Sequence, residues 1–133
     1  MSDHVPAPVE LGRIAPTIPV TDIDRSERFY RTHLGLEPTF RNGRPVGFVI
    51  LKNGDAELHL TLVPERRPAA HNVAHVLVAD ATALYDRMAA AGVRVVKGLR
   101  DADYGLRGFV FCDPDGNRID VGQCLPLEHR DAD

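Results

Sequence analysis

Three strand-like segments carry the acid–base side chains of this sequence, and alternation aims those side chains to one side. Over residues 56–63, Leu58, Leu60 and Leu62 fall on one face and Glu57, His59 and Thr61 on the other. Over residues 73–78, Ala74, Val76 and Val78 oppose Val73, His75 and Leu77. Over residues 117–123, Ile119 and Val121 oppose Arg118, Asp120 and Gly122. A fourth segment, 14–20, sets Ile14, Ile18 and Val20 against Ala15, Thr17 and Pro19. The apolar side suits packing on helices. The other side gathers His59, His75, Asp120, Glu57, Thr61 and Thr17 among small or apolar residues. Curled inward, such a face makes a cavity with a few polar groups, which is the composition of a small-molecule site. Facing water, the same residues describe a solvated sheet surface.

The elements that position these residues repeat along the chain. A strand at 14–20 is followed by a helix over about 24–33, closed by Gly35. A strand at 73–78 is followed by a helix over about 81–91, closed by Gly92. Asp22 and Asp80 stand where a helix-capping acid belongs. Ser26 with Tyr30, and Leu84 with Met88, are i, i+4 pairs on the expected buried helix faces. Three further strands follow each helix, near 38–41, 47–51 and 56–63, then near 93–97, 108–112 and 117–123. Asn53-Gly54 is a strong two-residue hairpin signal. Asp113-Pro114-Asp115-Gly116 suits a type I turn. Each half therefore reads β-α-β-β-β, and neither half closes its hydrophobic face alone.

The predicted fold class is α+β: two tandem βαβββ modules forming curled mixed sheets around a cavity, with helices on the outer face. The expected organisation is a tail over 1–12, a single domain over 13–124 and a tail over 125–133. Within the domain, module 1 covers 13–63, a charged, proline-containing linker covers 64–72 and module 2 covers 73–124.

A chain of 133 residues is one domain by length and buries a core without disulfide or metal staples. Its 44% hydrophobic and 26% charged residues exclude whole-chain disorder, coiled coil and collagen. A net charge of -3 offers no basic face for nucleic acid. No polybasic or lipidation motif and no apolar run of ~18 residues points to a membrane. The opening residues lack a secretory pattern. Cys112 and Cys124 then read as reduced thiols of a cytoplasmic protein.

With these motifs in place, the chain resembles the vicinal oxygen chelate superfamily. That group holds glyoxalase I, bleomycin-resistance proteins, fosfomycin-resistance enzymes and extradiol dioxygenases. The resemblance covers about residues 14–123. It rests on IPVTDIDRSERFY at 18–30 leading to LGL at 34–36, on FCDPDGNRID at 111–120, and on the module repeat. It implies two βαβββ modules curled around a cavity, often in a homodimer that shares or swaps modules. Metal-dependent members place ligands on the first and last strands of each module, matched here to Ala15, His59, Val73 and Asp120. Ala15 and Val73 bind no metal. His75 lies two residues past Val73 on the same face, so His59, His75 and Asp120 form an alternative two-histidine, one-carboxylate set for manganese, iron, nickel or zinc.

The residues 47–59, GFVILKNGDAELH, look like the central hairpin of bleomycin-resistance proteins, which resemble sponges that sequester a drug without metal or turnover. Loss of ligands at Ala15 and Val73 fits that antibiotic-resistance branch. Aromatic poverty departs from it: there is no Trp, and Phe40, Phe48, Tyr104, Phe109 and Phe111 supply the rings outside the helices. Bleomycin itself is therefore a poor match, and another small organic molecule a better one.

The segment 98–108 (GLRDADYGLRG) reads either as a loop closing over the cavity, with Tyr104 and Arg107 meeting a ligand, or as a wide solvated connection. Arg41, Arg44, Arg66 and Arg67 read as exposed charges, His4, His33, His71 and His129 as surface histidines, and Cys112 as an inert thiol. The leading expectation is a metal-free small-molecule binder using His59, Thr61, His75, Asp120, Thr17, Phe48, Tyr104 and Arg107. One alternative is a divalent-metal lyase or dioxygenase using His59, His75 and Asp120, with Glu57 moving protons. The other is a metal-free catalyst or ligand sensor on the same fold.

Overall fold

A computed structural model of the chain describes residues 5–65, 67–102 and 105–126. Strand β1 (Thr17–Val20) leads into α1 (Ile23–Leu34), then β2 (Glu37–Asn42), β3 (Phe48–Asn53) and β4 (Ala56–Leu62). The second half repeats the order with β5 (Asn72–Leu77), α2 (Ala81–Ala90), β6 (Val95–Ala102), β7 (Leu106–Cys112) and β8 (Arg118–Cys124). The strands form two four-stranded sheets, ordered β1-β4-β3-β2 and β5-β8-β7-β6. In each sheet the first and last strands of the module pair in parallel, and the rest pair antiparallel. The two βαβββ modules read from the sequence are present.

Both helices start as their capping acids dictate. The Asp22 carboxylate accepts from the Arg25 N–H at 3.0 Å, and Asp80 accepts from the Ala83 N–H at 3.0 Å. Gly35, at φ 65°, closes α1. In α2 the last helical residue is Ala90, and the left-handed turn falls at Gly92, φ 78°.

The helices bury one stripe each, Ile23, Ser26, Glu27 and Tyr30 on α1 and Ala81, Leu84 and Met88 on α2. α1 lies on β3 and β4, and α2 on β6 and β7. Those stripes meet the apolar sheet faces in one core that includes Ile18, Leu60, Phe109, Phe111 and Val121. The opposite face of each sheet is left open.

The modules are joined by a polar clamp at the β7–β8 turn. The Tyr30 hydroxyl donates to Asp113 Oδ2 at 2.8 Å, and Asn117 Nδ2 donates to the Pro19 carbonyl at 3.0 Å and to Asp113 Oδ2 at 2.8 Å. Asp113 Oδ1 accepts the N–H groups of Asp115 and Asn117, each at 2.9 Å. Asp115 accepts the Thr21 N–H at 3.1 Å, the Thr21 hydroxyl at 2.5 Å and Arg25 Nη2 at 3.0 Å. Burial, reinforced by the charge of Asp113, pushes the Tyr30 hydroxyl well above its ordinary value. Burial would raise Asp115 as well, but the Thr21 hydrogen bonds and the Arg25 charge outweigh it and hold the carboxyl below its ordinary value.

Three expectations are corrected. β1 begins at Thr17, so Ile14 lies before the strand and is 86% exposed instead of joining the core. The segment around 98–108 forms the arms of the β6–β7 hairpin, extended through Ala102 and resumed at Leu106. Backbone pairing satisfies it there, so it is no wide connection. Arg107 accordingly sits within β7, opposite Asp101.

Candidate functional site

The pairing register places the expected site residues in rows across the open faces. On the first sheet one row runs Phe40, Ile50, His59, Thr17 and the next runs Asn42, Phe48, Thr61. On the second sheet the corresponding rows run Lys97, Val110, Asp120, His75 and Arg100, Gly108, Gly122, Leu77. The modules therefore match Thr17 with His75 and His59 with Asp120. Ala15 and Val73, matched to ligand positions by the resemblance, stand in the same module correspondence two residues earlier, Ala15 before β1 begins and Val73 at the register shift between Asn72 and Ala74.

Each module carries one imidazole–carboxylate pair on its open face. His59 Nε2 lies 2.6 Å from Glu57 Oε2, and His75 Nδ1 lies 2.6 Å from Asp120 Oδ2. Glu57 is further held by Arg13 Nη1 at 3.2 Å and Lys52 Nζ at 3.8 Å. The His59 hydrogen bond, with the Lys52 charge and Arg13, holds the Glu57 carboxyl below its ordinary value. Glu57 is thus an ionised hydrogen-bond acceptor near neutral pH. A proton-carrying role needs a value nearer the working pH.

The first sheet adds rings. Phe48 lies between Phe40 and His59, with centroid separations of 6.3 Å and 5.4 Å and edge-on geometry. Phe40 is 51% exposed, so one end of this row is open to a ligand. Phe40 reaches this face through a break in the β2–β3 register between Pro38 and Phe40. Plain alternation cannot foresee such a break.

The second sheet has a cationic border instead. Lys97 pairs opposite Val110 and Arg100 opposite Gly108, so residues three apart on β6 share a face. Register breaks on both sides of Lys97 cause this. Sequence reasoning missed both residues; Gly98 inside a strand pattern was the available signal. Arg107 faces the other way, held by Asp101 through Nε at 2.7 Å and Nη2 at 3.2 Å. Tyr104 and Arg66 lie outside the described residues, as do His4 and His129. His33 is half-buried against Phe29, 4.7 Å between centroids, and burial lowers its basicity. Arg41 binds Glu27, and Cys112 is buried.

Among the described residues no three His, Cys, Asp or Glu side chains gather as a metal-holding group. His59 is therefore not assembled with His75 and Asp120 within one chain. Within one chain the described residues offer no converging set of ligands for a divalent ion.

A separate cleft of about 360 Å³ runs between the modules on the side of the core. Ile14, Pro16, Leu36, Leu58, Val76 and Leu77 are among its walls, with Glu57 and His75 bordering it. Preceding it, residues 5–14 form no strand or helix, and Val5, Val9, Leu11 and Ile14 are each more than three-quarters exposed.

A family model described as the Glyoxalase/Bleomycin resistance protein/Dioxygenase superfamily matches residues 10–121. No curated protein matches the sequence. Solved structures do match. A bleomycin resistance determinant encoded on the transposon Tn5 is similar at TM-score 0.71 and 24% identity, over 86% of this chain and 98% of that one. A superfamily member from Sphaerobacter thermophilus is similar at TM-score 0.73 and 24% identity, over 85% and 98%. The fosfomycin resistance protein FosX from Listeria monocytogenes is similar at TM-score 0.72 and 16% identity, over 92% and 99%. At these identities the likeness is one of fold.

Proposed function

The chain belongs to the glyoxalase/bleomycin resistance protein/dioxygenase superfamily, and from that premise we propose that it binds a small, planar organic molecule on the open sheet faces, without a metal. One observation carries the reading: the row Phe40, Phe48, His59 is a stacking surface exposed at one end, with the ionised Glu57 beside it. Rings left open on a sheet face gain most from covering a flat ligand. Drug sequestration of the resistance type needs only this. The relatives named for bleomycin and fosfomycin resistance support the class and do not identify the ligand.

The binding form we propose is a homodimer. The apolar arm over residues 5–14 and the apolar inter-module cleft are both uncovered in one chain. A second copy supplies an arm to each cleft and a wall to each open face. The arm alternates Val5, Ala7, Val9 and Leu11 against Pro6 and Pro8. That pattern leaves one edge able to pair and removes two N–H groups from the other, as in an edge strand. Two unpaired cysteines agree with a reducing, cytoplasmic location.

The test is a titration of planar aromatic compounds against wild type, Phe40→Ala and Phe48→Ala, followed by calorimetry and backbone amide shifts. Binding that perturbs β2, β3 and β4 and weakens in both variants supports the reading. A ligand that binds elsewhere, or equally to the variants, overturns it.

A further inference from the structure

The open face of the second sheet holds a hollow of about 40 Å³ that the aromatic row does not explain. Its floor is a cross-strand pair of glycines, Gly108 opposite Gly122. A side chain does not fit at Gly108 and is crowded at Gly122. A Cβ on Gly108 would come 2.2 Å from the Val121 carbonyl oxygen, and one on Gly122 would come 3.0 Å from the His75 ring. The border is cationic. Register breaks turn Lys97 and Arg100 onto this face together, although regular alternation would send them to opposite faces. Both are exposed. Asp120 is the one carboxylate lining the hollow among the described residues, and its Oδ2 lies 2.6 Å from His75 Nδ1.

Protection of an edge strand asks only for a lysine or a bulge. It does not ask for two cations aimed to one side over a floor without side chains. We propose that this hollow receives an oxyanion, a carboxylate-, phosphonate- or phosphate-sized group, held by Lys97 and Arg100. The inference rests on the homodimer proposed above where it describes the ligand: a planar body on the first sheet of one copy and an anionic group on the second sheet of the other. Arg100 offers a planar fork suited to two oxygens, and Lys97 adds a point charge. The glycine floor lets the anion approach the backbone closely.

The experiment uses the full chain and follows backbone amides while three compounds are added: inorganic phosphate, phenylphosphonate and benzamide. Lys97→Gln/Arg100→Gln is compared with wild type, and both exposed positions leave the core untouched. Phosphate is expected to shift the Gly108 and Gly122 amides in wild type and not in the double variant. Phenylphosphonate is expected to bind about tenfold more tightly than benzamide, a preference the double variant loses. Absence of phosphate shifts at the glycines, or a preference retained in the double variant, overturns the proposal. If both aryl compounds fail to perturb β2–β4 while phosphate still shifts the glycines, the aromatic reading fails and the oxyanion site stands.

Discussion

The two modules share their strand order, register and even a bulge, yet they display opposite chemistry on their open faces. After the same break in register, the first module presents Phe40 and the second presents Lys97. One strand inward, Phe48 of the first module corresponds to Gly108 of the second, and Thr61 corresponds to Gly122. The imidazole also moves: His59 stands on the last strand of its module and His75 on the first of its own. The helix-facing sides do not diverge in this way. Ile18, Leu60, Phe109 and Val121 belong to one shared core. The back of each sheet is constrained by packing, and the front is free to specialise.

The modules also differ at their hairpin turns, which yields the largest expected effect. Asp113→Ala removes an acceptor used by Tyr30, Asn117 and two backbone N–H groups. It should cost about 3 kcal/mol or more in urea unfolding, because buried donors are left unpaired. Asn53→Ala, at the equivalent turn, removes one exposed bond to the Leu34 carbonyl. It should cost about 1 kcal/mol or less. Equal losses would show that the turns are interchangeable and the clamp unimportant.

Next come the uncovered apolar parts. Val9→Glu/Leu11→Glu should weaken a dimer by about a hundredfold in sedimentation equilibrium, through lost apolar burial and added charge. A wild type that sediments as a monomer at micromolar concentration would remove the dimer from the comparison. A smaller effect is expected on binding. Phe48→Ala should weaken a planar ligand by roughly tenfold, while Lys97→Ala leaves a neutral planar ligand unaffected. The same loss from both would mean that the two faces are not chemically divided.

Acid should act on the clamp before it acts on the core. The Asp115 carboxyl is held below its ordinary value in the folded chain. Its stabilisation is therefore fully present above the ordinary value of 3.8 and is lost as pH falls through the lowered value. Asp115→Asn should flatten the acid limb of the stability profile; an unchanged limb would assign acid sensitivity elsewhere. The smallest expected effect is that of a chelator. Ligand binding should be unaltered by it, and His59→Ala should leave metal content unchanged. Near-stoichiometric metal lost in His59→Ala would redraw the comparison around a metal shared between copies.

Much of this architecture was legible before any coordinates. Asp22 and Asp80 mark both helix starts, and the alternation around Leu58–Leu60 and Ile119–Val121 separates the two sheet faces, because capping and period-two burial are local effects. The start of β1 was not legible, since alternation fixes parity and not where pairing begins. Lys97 and Arg100 were missed, and the face taken by Phe40 was not foreseen, for a related reason: a bulge resets parity without changing composition. Arg107 was expected in a loop because Gly98, Gly105 and Gly108 suggest one. Those glycines instead serve a hairpin, where Gly105 takes φ 84° at its turn.

The bulges in β2 and β6 lie on edge strands, each paired on one side only. A residue gained or lost there would slide the strand past its neighbour and turn a different set of side chains toward the ligand. The inner strands and both helices would hold their places. Sequence length at those two positions thus acts as a selector for what the protein recognises, and diversification by short insertions should concentrate at 38–40 and 95–100.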